Sequence, residues 1–173
     1  YEISHRIGGR FGRPAVPRGP DECSPQHMHA ALLDESFAGR RFDAIFCITR
    51  HPIARFVSEY RFRAQAGHPM TKGGIDVFAR QALWRYETRT QFVLDNHIRP
   101  QVAFPWGDCA VYPLEDGMAA ILDAVSARLP APLILPEGRP MRSGTRDEAR
   151  LAPATEARLR GFYAADFEAF GYA

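Results

Sequence analysis

Apolar residues along this chain fall into two patterns that alternate. The stretch FDAIFCIT (42–49) is a nearly continuous apolar run, which predicts a strand buried on both faces, as in a parallel sheet. Directly after it, Ile53, Phe56, Val57 and Tyr60 recur at helical spacing. Pro52 suits a first helical turn, so a helix is expected from Pro52 to about Ala66, ahead of Gly67. The order then repeats. CAVYPLED (109–116) predicts a second short buried strand, and GMAAILDAVSARL after it a helix turning Ile121, Leu122, Val125 and Leu129 inward. A short helix over 27–37, packed through Met28, Leu32 and Leu33, is expected before the first strand, ending near Gly39. Residues 75–95 predict a further helical region with Phe78, Leu83 and Phe92 among its apolar positions, and 152–173 an amphipathic helix with a short aromatic tail. The stretches 1–26 and 130–150, rich in Gly, Pro and Arg, lack sustained periodicity and predict irregular segments.

Strands alternating with helices predict an α/β fold with an open, mainly parallel sheet. Such sheets bind ligands beyond the carboxyl ends of their strands. The length of 173 residues and 46% apolar content suit one domain with a real core. A formal charge of +2, from 22 basic and 20 acidic residues, gives no global field for nucleic acid or an anionic membrane, so any anion site must be local. Lys72 is the only lysine among the basic residues, and with abundant Ala and Pro this points to a GC-rich bacterial genome. Cys23, Cys47 and Cys109 cannot all pair and fit no zinc-ribbon spacing, which favours a reducing compartment. No apolar run approaches the ~20 residues of a membrane span, and the first residues lack a signal-peptide pattern, so a cytoplasmic location is expected.

Candidate chemistry concentrates in ITRHPIARFVSEY (48–60). Arg50 falls at the end of the predicted strand and Ser58 about two turns into the following helix. A forked cationic donor and a short hydroxyl at these places can converge on one anion, such as a phosphate. The plainer alternative is a surface ion pair for Arg50 and a tolerated helix-face serine at 58.

This segment resembles the phosphate-binding signature of the sulfotransferases that use 3'-phosphoadenosine 5'-phosphosulfate (PAPS), with Arg50, Pro52, Arg55, Ser58 and Tyr60 in register. DNHIRPQ (95–101), followed by CAVYPLED, is similar to a segment and strand of the carbohydrate sulfotransferases, and FYAADFEAFGY to their C-terminal pattern. Together these cover residues 27 to about 172. The resemblance implies a P-loop NTPase-like open parallel sheet flanked by helices, with Arg50 and Ser58 on the nucleotide's 3'-phosphate. It implies in-line transfer of a sulfuryl group to an acceptor hydroxyl, favoured to be a carbohydrate's, which requires a base. HMHAALL resembles the paired histidines of the 2-O-type enzymes. His29 is therefore the first expected catalytic base and His27 its partner, an imidazole being suited to proton removal near neutral pH. His97 and Arg99 are expected to face an anionic sugar, and Arg142 and Ser143 to lie on a loop over the nucleotide. For each of these residues a surface, capping or buried structural role is the plain alternative.

A metal site from Cys23, His27 and His29 is disfavoured because no fourth ligand stands at a standard spacing, and no metal is expected. Ser24, Ser36 and Ser126 lack a nucleophile pattern. One departure from the family is large. Its N-terminal strand and Lys-Thr-Gly-type phosphate loop have no counterpart; RIGGRFGR follows no strand and carries no Lys-Ser/Thr pair. The complete protein is accordingly expected to carry that strand and loop upstream of Tyr1. The alternatives are a degenerate sulfotransferase fold that binds a nucleotide or sulfated glycan without turnover, or a P-loop phosphotransferase.

Overall fold

A computed structural model describes residues 22–131 and 149–173. The expected entry segment up to residue 21, and Arg142 and Ser143 in the 130–150 stretch, lie outside the described residues. Two strands, β1 (Phe46–Thr49) and β2 (Ala110–Pro113), pair in parallel with Phe46 opposite Ala110 and Thr49 opposite Pro113. Among the described residues six α-helices accompany them: α1 (Ala30–Phe37), α2 (Pro52–Gln65), α3 (Gly74–Thr88), α4 (Met118–Ser126), α5 (Pro153–Phe162) and α6 (Ala164–Phe170). The arrangement is broadly α/β, with a small sheet and a predominance of helix. No helix among the described residues is long and apolar enough to cross a membrane.

The strand–turn–helix unit forms where expected. Pro52 occupies the first turn of α2, and the His51 ring accepts a hydrogen bond from the Ala54 amide, satisfying one of the open N–H groups there. β1 is shorter than the apolar run and is not buried on both faces: Phe46 and Ile48 stay 41% and 42% exposed while Thr49 is buried. The reason is where the apolar surface goes. The main core lies among helices, where Phe56 of α2, Ile75, Phe78, Ala82 and Leu83 of α3, Leu159 of α5 and Tyr163 close around Val93 and Ile98. Pairs α2–α3, α2–α5 and α3–α5 pack on one another rather than sandwiching the strands.

Two boundaries differ from the periodicity. The helical region expected over 75–95 ends at Thr88, and residues 90–100 form an irregular turn in which Leu94, Asp95 and Asn96 all have positive φ (52°, 62° and 66°). Three successive non-glycine residues in the left-handed region cannot continue a right-handed helix. Phe92 consequently leaves the α3 face and packs with Cys23, Met28 and Leu32 in a second, smaller cluster. The closing helix is broken at Tyr163 into α5 and α6. Tyr163 is fully buried and donates its hydroxyl to the Ile98 carbonyl, and the buried Asp166 accepts the Gln101 and Val102 amides. The break aims both side chains at the 98–102 backbone.

Candidate functional site

Helix α2 sorts its residues onto three faces. Ile53, Phe56, Val57 and Tyr60 turn to the core. Ala54, Ser58, Arg61 and Gln65, spaced to share one side of a helix, line a cleft of about 900 Å3 together with Arg50, Arg55, Phe62, Ala66 and His97. Arg55, Glu59 and Arg63, each four residues on, face the 90–100 turn: Arg55 donates to the Arg99 carbonyl (2.9 Å), Arg63 to the Leu94 carbonyl (3.1 Å), and Glu59 contacts His97 (2.8 Å).

Arg50 is held by its backbone. Its amide donates to Gln101 Oε1 (2.9 Å) and its carbonyl accepts from Gln101 Nε2 (2.8 Å), so one buried side-chain amide extends the end of β1 as a neighbouring strand would. The next residue is tied to the end of β2, where the His51 amide donates to Glu115 (2.8 Å) and the Tyr172 hydroxyl donates to the same carboxylate (3.0 Å). Burial would raise the Glu115 carboxyl, but these donors outweigh it and hold the group below its ordinary value. Arg50 thus lines the cleft from a fixed backbone, with its charge also acting on Glu115.

At the other end of the cleft stands a four-member chain of side chains. Asp95 contacts His27 Nδ1 (2.8 Å), His27 Nε2 faces His97 Nε2 (3.1 Å), and His97 Nδ1 contacts Glu59 (2.8 Å). Ser24 flanks it, its amide donating to Asp95 and its hydroxyl meeting His27 Nδ1. Burial would raise both carboxyls. For Glu59 the His97 contact and Arg63 outweigh it, and for Asp95 the His27 contact and the Ser24 donors do, so both lie below their ordinary values. Asn96 fixes the geometry by donating to the His27 carbonyl (2.8 Å) and accepting from Arg99 Nε (3.0 Å). His27 and His97 also border a second cleft of about 300 Å3, with Thr49, Arg55 and Gln101 in its wall.

The expected site residues therefore divide. Arg50, Ser58 and His97 meet in one cleft, and His27 joins His97. His29 is 8% exposed, caps the start of α1, lies edge-on to Phe92 and borders neither cleft. Arg99 is also buried, bonded to Asn96 and Gln91 with its guanidinium over Phe92, and borders neither cleft. Sequence reasoning missed Asp95 and Glu59. Asp95 stands in the DNHIRPQ segment beside two expected residues, which was the available signal. Glu59 had none, since a glutamate four residues from an arginine on a helix reads as an ordinary surface pair. Compared with known proteins, the chain matches no family model, no curated protein and no solved structure.

Proposed function

We propose that this chain is the domain of a PAPS-dependent sulfotransferase that transfers the sulfuryl group to a hydroxyl, with a carbohydrate as the favoured acceptor. The observation that carries the proposal is the arginine-lined cleft on α2. Arg50, at the carboxyl end of β1, and Ser58, two turns into α2, open onto one space with Arg55 and Arg61 beside them. Four donors of this kind suit a phosphate cluster, and a crevice beyond a parallel strand's carboxyl end is where such sheets hold nucleotides. In the reaction the acceptor oxygen attacks sulfur, the bond from sulfur to the 5'-phosphate oxygen breaks, and its electron pair leaves with 3'-phosphoadenosine 5'-phosphate. The acceptor's proton passes to a base. Of the two histidines expected in that role, His27 reaches a cleft, while His29 is enclosed. With Asp95 at Nδ1, the nitrogen that would take the proton is His27 Nε2, which faces His97 Nε2 at 3.1 Å and has to turn from it to meet a hydroxyl.

The test is calorimetric titration with 3'-phosphoadenosine 5'-phosphate, using 5'-AMP as control. Binding is expected only with the 3'-phosphate present, weakened at least tenfold by Arg50→Ala and less by Ser58→Ala. Equal affinity for 5'-AMP, or full retention in Arg50→Ala, would overturn the assignment.

A further inference from the structure

The contact between His27 and His97 is unusual in its chemistry. Each ring has its Nδ1 against a carboxylate, Asp95 at 2.8 Å and Glu59 at 2.8 Å. An ionised carboxylate only accepts, so each Nδ1 is the donor and carries its ring's hydrogen. In the neutral rings both Nε2 atoms are then left with bare lone pairs, and these two atoms face each other at 3.1 Å. Two lone pairs at that distance repel unless a positive centre lies between or beside them. The rings are also inclined rather than end to end, with centroids 4.3 Å apart and planes at 69°.

We propose that the Nε2 atoms of His27 and His97 form a binding site for one divalent transition-metal ion of the zinc, cobalt or nickel type. An ion at the usual zinc–imidazole distance of about 2.05 Å from both nitrogens would subtend about 100° between them at their present separation, between the tetrahedral and octahedral values. The groups that would orient the two ligands are in place, because imidazole ligands characteristically donate their other N–H to a carboxylate, as these do to Asp95 and Glu59. Imidazole nitrogen selects borderline ions over magnesium or calcium. The remaining coordination positions face the 300 Å3 cleft that both rings border, open to water or to a ligand's oxygen. The backbone carries a matching sign of construction: Leu94, Asp95 and Asn96 are all held at positive φ, and this turn delivers Asp95 to His27 and His97 to Glu59. The cluster of His27, Asp95 and His97, in which the two histidines are the ligands and Asp95 backs His27, differs from the Cys23, His27 and His29 grouping suggested by proximity in sequence.

The site does not rest on sulfuryl transfer, but it uses the same His27 nitrogen as the proposed base. A nitrogen that holds an ion cannot take a proton at the same time, so an ion here and a base role for His27 alternate rather than combine.

The experiment uses the full chain stripped with a chelator and titrated with Co2+, followed by the visible absorption of the ligated ion, and with Zn2+ by calorimetry. One ion per chain is expected. His97→Ala and His27→Ala should each weaken uptake at least tenfold, Asp95→Asn and Glu59→Gln on the order of 10- to 100-fold, and His68→Ala not at all, with circular dichroism checking that each variant folds. Absence of uptake by the wild-type chain, or uptake unchanged in the His27→Ala/His97→Ala double variant, would overturn the proposal. Titrating the same stripped protein with 3'-phosphoadenosine 5'-phosphate keeps the two readings separable, since either ligand can bind without the other.

Discussion

The junction of α2, α3 and α5 and the junction of the 90–100 turn with residues 24–29 are built by opposite means. In the first, Phe56, Phe78, Leu83, Leu159 and Tyr163 exclude water and contact one another broadly. In the second, single hydrogen bonds join partners 67 to 71 positions apart: Ser24 and His27 to Asp95, His27 and His29 to Asn96, and His27 to His97. Apolar packing is non-directional and spreads a loss over many neighbours, whereas a buried polar network leaves a named atom unsatisfied when one member goes. The first region should therefore set the stability of the whole, and the second the geometry of the site.

The largest effect is expected from Phe78→Ala. This ring is fully buried, with Phe56 and Tyr60 each at 5.5 Å between centroids. Removing it should cost about 3–5 kcal/mol, a fall in Tm of roughly 6–20 °C for a chain of this size. Thermal unfolding followed by circular dichroism and by tryptophan fluorescence should shift by the same amount. A shift seen by only one probe would show that the two regions unfold separately.

That contrast also accounts for what the sequence disclosed. α2 was legible because Pro52 starts it, Gly67 follows it and its apolar spacing meets a real core. Arg50 and Ser58 could be paired from the sequence because strand end and helix turn are local geometry, and both line one cleft. The extent of β1 was misjudged because a run such as FDAIFCIT reports hydrophobicity and not which element covers it; the helices cover each other instead. The end of α3 and the break at Tyr163 were not legible: α3 stops at Thr88 ahead of a left-handed turn at 94–96 that no glycine marks, and the break is tied to a distant partner, the Ile98 carbonyl that receives the Tyr163 hydroxyl. Glu59 was hidden for the same reason, its partner His97 standing beyond α3 in the chain.

An intermediate effect, confined to the polar region, is expected from Asn96→Ala. Asn96 is 1% exposed and sits at φ 66°, donating to the His27 carbonyl and accepting from Arg99. Truncation strands both partners and places a Cβ residue without side-chain help in the left-handed region, at a cost of about 2–3 kcal/mol. Hydrogen exchange should quicken over 24–29 and 94–99 while α2 and α3 keep their protection. Asn96→Gly relieves the backbone but not the lost bonds, so it should recover only part of the difference. Full recovery would mean that the turn is held by conformation alone.

The smallest effect tests a polar contact placed on the apolar region. Asp76, in the first turn of α3, accepts the Ala152 amide (3.0 Å) at the start of α5 and is hydrogen-bonded by the Thr155 side chain. The carboxylate thus serves two helix N-termini at once, where negative charge is favoured. The Thr155 and Ala152 hydrogen bonds hold its carboxyl below the ordinary value near 3.8. A depressed folded value means that the stabilisation is complete above pH 3.8 and is lost as pH falls through that lower value. The group faces solvent, so its worth is no more than about 1 kcal/mol and declines with salt. Asp76→Ala should lower Tm by roughly 2–4 °C at neutral pH, with the gap from wild type constant down to about pH 5 and narrowing below about pH 4. A gap that stays constant into strong acid would show that the contact acts through its hydrogen bonds without the charge, making it a polar link of the kind that holds the 90–100 turn rather than an electrostatic cap.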